Sequence, residues 1–191
     1  SAERILKYLE RTKAENILEL GCGNGWFTNL ISKRKKFNTV GVDINETELV
    51  QAARLFSNER TLFVYGDIFE PVWPTGCFDI IILNSSLQYF PYPQLLITKL
   101  LSLLTPNGEI HILDSPMYPN IKQAEMASAR SKLYFDSIGF TNQLKHYHHH
   151  PMNVLSNYKY SVMYDPANWK YAIEKYSTYQ WTPFPWIRIK K

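Results

Sequence analysis

Residues 17–28 read ILELGCGNGWFT: a short apolar run, three glycines at alternate positions (Gly21, Gly23 and Gly25), then a segment with helical spacing. Strand, glycine bend and helix follow one another within twelve residues. Glycine lets a backbone turn tightly and approach a ligand without a Cβ in the way. A bare glycine triplet is a weak signal, but here it sits between a buried strand and a helix. A carboxylate, Asp43, closes the next strand 22 residues after Gly21, the spacing of nucleotide-binding units.

Working outward, Ile5, Leu6 and Leu9 share one face and predict an amphipathic helix over residues 2–12. Strands are expected at 16–20, 39–42, 61–65, 78–84 and 109–113. Helices are expected at 26–36, where the last turn is basic and suits the dipole, at 46–57, and at 95–104 before the break Pro106-Asn107-Gly108. Alternating strands and helices joined by short turns predict an α/β fold, a doubly wound Rossmann-like, mostly parallel sheet with right-handed crossovers. Beyond Asp114 the rhythm loosens. A helix over 121–138 ending at Gly139, strands at 141–147, 158–164 and 186–189, and a helix from 165 to about 176 are expected there. The reading is one domain over 1–191, with a cofactor-binding part at about 14–114 and a decorated, acceptor-side part at about 115–191.

Apolar residues at 45% and charged residues at 20% exclude collagen-like, low-complexity and largely disordered chains. No apolar run is long enough to span a bilayer, and the opening SAERILKYLER lacks the apolar core of a secretory signal, so a soluble, cytoplasmic protein is expected. Two cysteines, Cys22 and Cys77, fit no zinc or redox spacing, which agrees with a reducing compartment. The net charge of +4 is mild, and the KRKK run at 33–36 reads as solvated surface rather than a nucleic-acid footprint.

In an open parallel sheet, ligands bind beyond the carboxyl ends of the strands, where strand order reverses. Asp43 is placed there to accept hydrogen bonds from the two hydroxyls of a ribose. A dinucleotide fingerprint would need glycine at 26, where this chain has Trp26, and Glu19 would repel a pyrophosphate while suiting an ammonium group. NAD and FAD are thereby disfavoured. Trp26 and Phe27 are expected to anchor their helix rather than stack on the ligand.

With these residues in view, 17–28 resembles the E/D-x-G-x-G-x-G loop of class I S-adenosylmethionine-dependent methyltransferases. GVDIN at 41–45 is similar to that family's second-strand acid, YGDIF at 65–69 to its adenine-side acid, FDIIILNSSLQYF at 78–90 to its fourth-strand motif, and LTPNGEI at 104–110 to its turn into strand five. The resemblance covers about 16–114 and points to the small-molecule, methyltransferase-11/25-like branch. It implies S-adenosyl-L-methionine as cofactor, with Gly21, Gly23 and Gly25 around the methionine moiety and Glu19 near its amino group. It also implies Asp43 on the ribose, Ile44 against adenine, Asp67 on the adenine amino group with Ile68 beside it, and Asn84 and Ser85 passing the sulfonium.

Ser86, Gln88 and Tyr89 follow the fourth strand and are acceptor-side candidates. His146 and His148 to His150 are read first as exposed polar loop residues and second as supplying an acceptor contact or base, with His148 the candidate; consecutive histidines alternate in direction, so no metal site is expected. Asp114 is read first as a turn residue and second as an acceptor contact. Tyr118, Tyr147, Tyr158, Tyr160, Trp169, Trp181 and Trp186 are read as core packing first and as a wall over the cleft second. A small-molecule acceptor is expected, and the lack of an N/D-P-P-Y/F/W motif argues against nucleic acid. Methyl transfer to RNA or protein, and a cofactor-binding module without turnover, stay open, as do the acceptor atom, any catalytic residue and the oligomeric state.

Overall fold

Apolar runs bounded by turns form the strands, and the residues between them with helical spacing pack over the two sheet faces. The computed structural model describes residues 1–34, 37–140, 145–168 and 182–191. Along the chain come α1 (Ala2–Leu9), β1 (Asn16–Leu20), α2 (Trp26–Ser32), β2 (Asn38–Asp43), α3 (Glu46–Phe56), β3 (Thr61–Tyr65), β4 (Phe78–Asn84), α4 (Pro93–Leu103), β5 (Leu104–Leu113), β6 (Met117–Tyr118), α5 (Ile121–Ser137), β7 (His150–Pro151), β8 (Tyr160–Tyr164) and β9 (Trp186–Lys190). Seven strands lie in the order β3-β2-β1-β4-β5-β9-β8. The first five are parallel, and β9 runs antiparallel to both β5 and β8. The expected doubly wound, mostly parallel sheet is present.

Side-chain alternation along the strands sorts the core into two layers. Ile17 of β1 with Ile80 and Ile82 of β4 packs under Ile5, Leu6 and Leu9 of α1 and Phe27 and Ile31 of α2. Leu18 and Leu20, with Ile81 and Leu83, pack under Leu96, Ile97, Leu100 and Leu103 of α4. Helix α3 begins at Asn45, whose side chain accepts the Glu48 backbone N–H, and carries Glu46 and Glu48 in its first turn, where carboxylates complement the helix dipole.

Several expectations are corrected. Residues 106–108 do not break the chain out of the sheet: β5 begins at Leu104, which pairs with Phe78, and the register then jumps so that Ile80 faces Glu109. A bulge absorbs the Pro-Asn-Gly that reads as a turn. No strand covers 145–147; the extended pairing nearby is His150–Pro151 against Met117–Tyr118. Residues 141–144 of that expected strand, Lys35 and Lys36 of the basic run, most of the helix expected from 165, and Trp169 and Trp181 lie outside the described residues.

Candidate functional site

Strand order reverses between β1 and β4, the neighbours from which the chain departs in opposite directions, so their carboxyl ends frame the crevice. Immediately after β1, the Gly21 and Cys22 N–H groups donate to the Val42 carbonyl at 2.8 and 3.2 Å. Gly21 has φ +77°, and a Cβ there would lie 2.5 Å from Ser86 Cβ. Ser86 is buried because its hydroxyl donates to the Leu20 carbonyl at 2.7 Å, fastening the turn after β4 onto the end of β1. Gly23 has φ +50°, and its N–H donates to Asp43 Oδ2 at 2.8 Å, while Asp43 Oδ1 accepts the Asn45 N–H at 2.9 Å. Gly25 packs against Phe63 and Ala52 instead of facing the crevice.

A cavity of about 600 Å³ opens here. Of the expected residues, Gly21, Gly23, Asp43, Ile44, Asp67, Ile68, Ser85, Ser86 and Tyr89 line it. A second cavity of about 430 Å³ shares Gly21, Gly23, Glu48 and Ser85 with the first and adds, among others, Glu19, Asn84, Trp26 and Asp114. Ile44 is 72% exposed beside the Asp43 carboxylate, an apolar face with an acid next to it. Asp67 and the buried Ile68, just after the neighbouring strand β3, line the same cavity. An apolar slot flanked by hydrogen-bond acceptors fits a nucleoside, whose base is flat and whose ribose and amino group donate.

Glu19 shares its strand face with Ile17, under α2, so it meets Thr28, whose hydroxyl donates to its Oε2. The residue is 2% exposed. Burial pushes its carboxyl up to about 8 against the Thr28 hydrogen bonds, and the nearby Asp43 charge adds to the rise. The described surroundings give it no cation, and an ammonium group entering the second cavity would supply one. Burial, together with the Glu19 and Asp43 charges, also pushes the Cys22 thiol up, which suits a buried structural cysteine and not a nucleophile.

On the acceptor side the structure departs from expectation. Gln88 does not line either cavity; the short 3₁₀ turn Leu87–Tyr89 turns it inward, where its Nε2 donates to the Ser85 carbonyl at 2.7 Å. His148 is likewise outside the lining: its N–H donates to the Gln88 carbonyl at 2.7 Å and its ring stacks on His150 at 6.2 Å. His146 lines the larger cavity instead, with Glu48, neither of which belongs to a motif, and with Phe69 and Phe90, the last residues of the 65–69 and 78–90 motifs. Tyr89 meets Tyr147 edge-on at 6.0 Å, and Tyr147 and Tyr118 both contact the His149 ring. Trp186 is core, donating to His111 Nδ1 at 3.0 Å. Trp26 is 49% exposed while Phe27 is buried, so of the two Phe27 anchors the helix, together with Ile31. Among the described residues no His, Cys, Asp and Glu cluster could hold a metal ion, and no helix is long and apolar enough to cross a membrane.

The profile described as "Methyltransferase domain" matches residues 11–174. Nocamycin O-methyltransferase of Saccharothrix syringae is 27% identical over 143 residues, 72% of this chain and 51% of that protein. Trans-aconitate 2-methyltransferase of Acidovorax sp. is 30% identical over 135 residues, 67% of this chain and 51% of that protein. The chain thus spans about half the length of these curated relatives. Among solved structures, the plantazolicin methyltransferase BpumL, in complex with a triazolic desmethylPZN analog and SAH, superposes with a TM-score of 0.69 at 19% identity, over 100% of this chain and 83% of its own.

Proposed function

The chain belongs to the methyltransferase-domain family, and from that premise we propose that it transfers the methyl group of S-adenosyl-L-methionine to a small-molecule acceptor. The observation that carries this reading is the glycine bend pinned to Asp43 at the mouth of a cavity of about 600 Å³, where the sheet order reverses. Residues 14–114 form the cofactor side and 115–191 the acceptor side. Relatives named for O-methylation of nocamycin and for trans-aconitate support a small-molecule acceptor.

The cofactor supplies a methyl group on a sulfonium that leaves as neutral thioether. The chain's contribution is placement. Asp43 receives the ribose hydroxyls on a carboxylate already oriented by Gly23 and Asn45. Asp67 receives the adenine amino group, with Ile44 and Ile68 on the faces of the base. Glu19, releasing its proton to solvent as the cation arrives, holds the ammonium group; Gly21, Gly23, Asn84 and Ser85 carry backbone past the methionine. Positioning and the exclusion of water account for much of the rate gain in such a displacement.

Calorimetric titration with S-adenosylhomocysteine, followed by labelled methyl transfer into a fractionated metabolite extract, tests the proposal. Saturable binding and a labelled small molecule are expected. Binding without transfer to any fraction would leave a cofactor-binding module, and absence of binding would refute the reading.

A further inference from the structure

Asp114 follows the end of β5, as Ser85 follows the end of β4. These are the two non-glycine residues with positive φ among those described, +46° and +54°. The strand ends are joined where the Ser85 N–H donates to the Leu113 carbonyl at 2.8 Å. Both residues therefore turn abruptly into the second cavity, which they line. The Asp114 carboxylate is held from one side: Oδ1 accepts the Ser1 hydroxyl at 2.5 Å and the Thr182 hydroxyl at 2.8 Å. No described residue donates to Oδ2.

The surroundings of this carboxylate restrict what can bind. Five carboxylates, Glu19, Asp43, Glu48, Asp67 and Asp114, line the two cavities, and no described lining residue is a lysine or arginine. This is a local property, since the whole chain carries +4. The cofactor roles given above use Glu19, Asp43 and Asp67 and leave Glu48, in the first turn of α3, and Asp114, just past the end of β5 beside Ser85, for a second ligand. A carboxylate acceptor placed against Asp114 would be repelled at close range, whereas a hydroxyl or amine can donate to Oδ2.

Resting on the reading of this cleft as a methyl-transfer site, we propose that Asp114 is its acceptor-binding carboxylate. The acceptor it selects presents a hydroxyl or amine on an uncharged or cationic molecule. Asp114 Oδ2 accepts the hydrogen bond of the acceptor's O–H or N–H and so directs the lone pair at the methyl carbon; the new C–O or C–N bond forms as the C–S bond breaks, the electron pair leaves on the thioether sulfur, and the acceptor's proton passes to Oδ2.

The test separates a metabolite extract by ion exchange into cationic, neutral and anionic fractions and offers each to the protein with methyl-labelled S-adenosylmethionine. Label is expected in the cationic or neutral fraction. Asp114→Asn, which tolerates the same left-handed backbone, is expected to raise the KM for that acceptor at least tenfold while S-adenosylhomocysteine affinity stays within twofold. Label confined to the anionic fraction, label in none, or an Asn variant with unchanged KM overturns the proposal. If the variant fails to fold, the charge class labelled by the unaltered protein still decides. Absence of S-adenosylhomocysteine binding is the separate failure that removes the methyltransferase reading beneath it.

Discussion

The Gly23 backbone N–H donates to Asp43 Oδ2 at 2.8 Å, so the acid assigned to the ribose also sets the shape of the loop that approaches the methionine. Loop and acid form one unit. Asp43→Ala removes the acceptor for both Gly23 and Asn45 together with the ligand contact. Losing a hydrogen bond to a charged group costs about 1–3 kcal/mol, and S-adenosylhomocysteine affinity should fall by roughly that amount in calorimetry. A folded Ala variant that binds as tightly as the unaltered protein removes Asp43 from the site.

Gly21 and Ser86 make a second such unit. A Cβ on Gly21 would sit 2.5 Å from Ser86 Cβ, at a φ of +77° that side chains avoid. Gly21→Ala should therefore lower unfolding free energy by about 2–4 kcal/mol, combining overpacking with backbone strain. Ser86→Gly in the same chain should relieve the overpacking and leave the strain, giving a coupling of about 0.5 kcal/mol or more in a denaturant double-mutant cycle. Strict additivity would mean that the two residues do not meet.

These units show what the sequence could and could not reveal. β1 and β4 have the bounds expected from their apolar runs, because burial on both faces is written in composition, and β3 has the expected bounds although, at the sheet edge, it leaves Leu62 and Tyr65 exposed. The bend itself was legible because Gly21, Gly23 and Gly25 all take positive φ, but that Gly25 packs against Phe63 and Ala52 and not toward the crevice was not. The β5 bulge was not: Pro106-Asn107-Gly108 reads locally as a break, and only pairing with β4 shows that the strand began at Leu104. His146 lines the larger cavity, unlike His148, because of the fold of 145–150, which no periodicity encodes, and Gln88 turns inward on a 3₁₀ turn hidden in a motif that looks ligand-facing.

The buried Glu19 gives a pH-dependent prediction with a definite sign. Its carboxyl is raised from 4.5 to about 8, so between those values the folded protein keeps a proton that the unfolded chain has released. The stability this contributes is complete below pH 4.5 and is lost as pH rises through about 8. Subtracting the profile of Glu19→Gln from that of the unaltered protein, by denaturant unfolding at each pH, should give a line falling between pH 4.5 and 8. Binding of S-adenosylhomocysteine at pH 7 should release a proton, seen as a dependence of calorimetric heat on buffer ionisation enthalpy, and the Gln variant should release none. A flat difference profile would mean that Glu19 is ionised without a ligand.

Glu109, on β5, supplies the opposite sign. Burial pushes its carboxyl up, but the close His111 ring, the Tyr8 hydrogen bond and the Arg188 charge outweigh that and leave it at about 2. His111 Nε2 lies 3.3 Å from Glu109 Oε2. Burial keeps His111 below its usual range, and its Nδ1 accepts the Trp186 N–H, so the neutral ring points its own N–H toward the carboxylate. The stability Glu109 contributes is present above pH 4.5 and is lost as pH falls toward 2. Glu109→Gln should erase the part of the acid-unfolding slope that lies in that window while leaving S-adenosylhomocysteine affinity at pH 7 unchanged, because Glu109 lines neither cleft cavity. An acid-unfolding midpoint identical in the two proteins would show that the Tyr8, His111 and Arg188 contacts do not hold the carboxylate ionised.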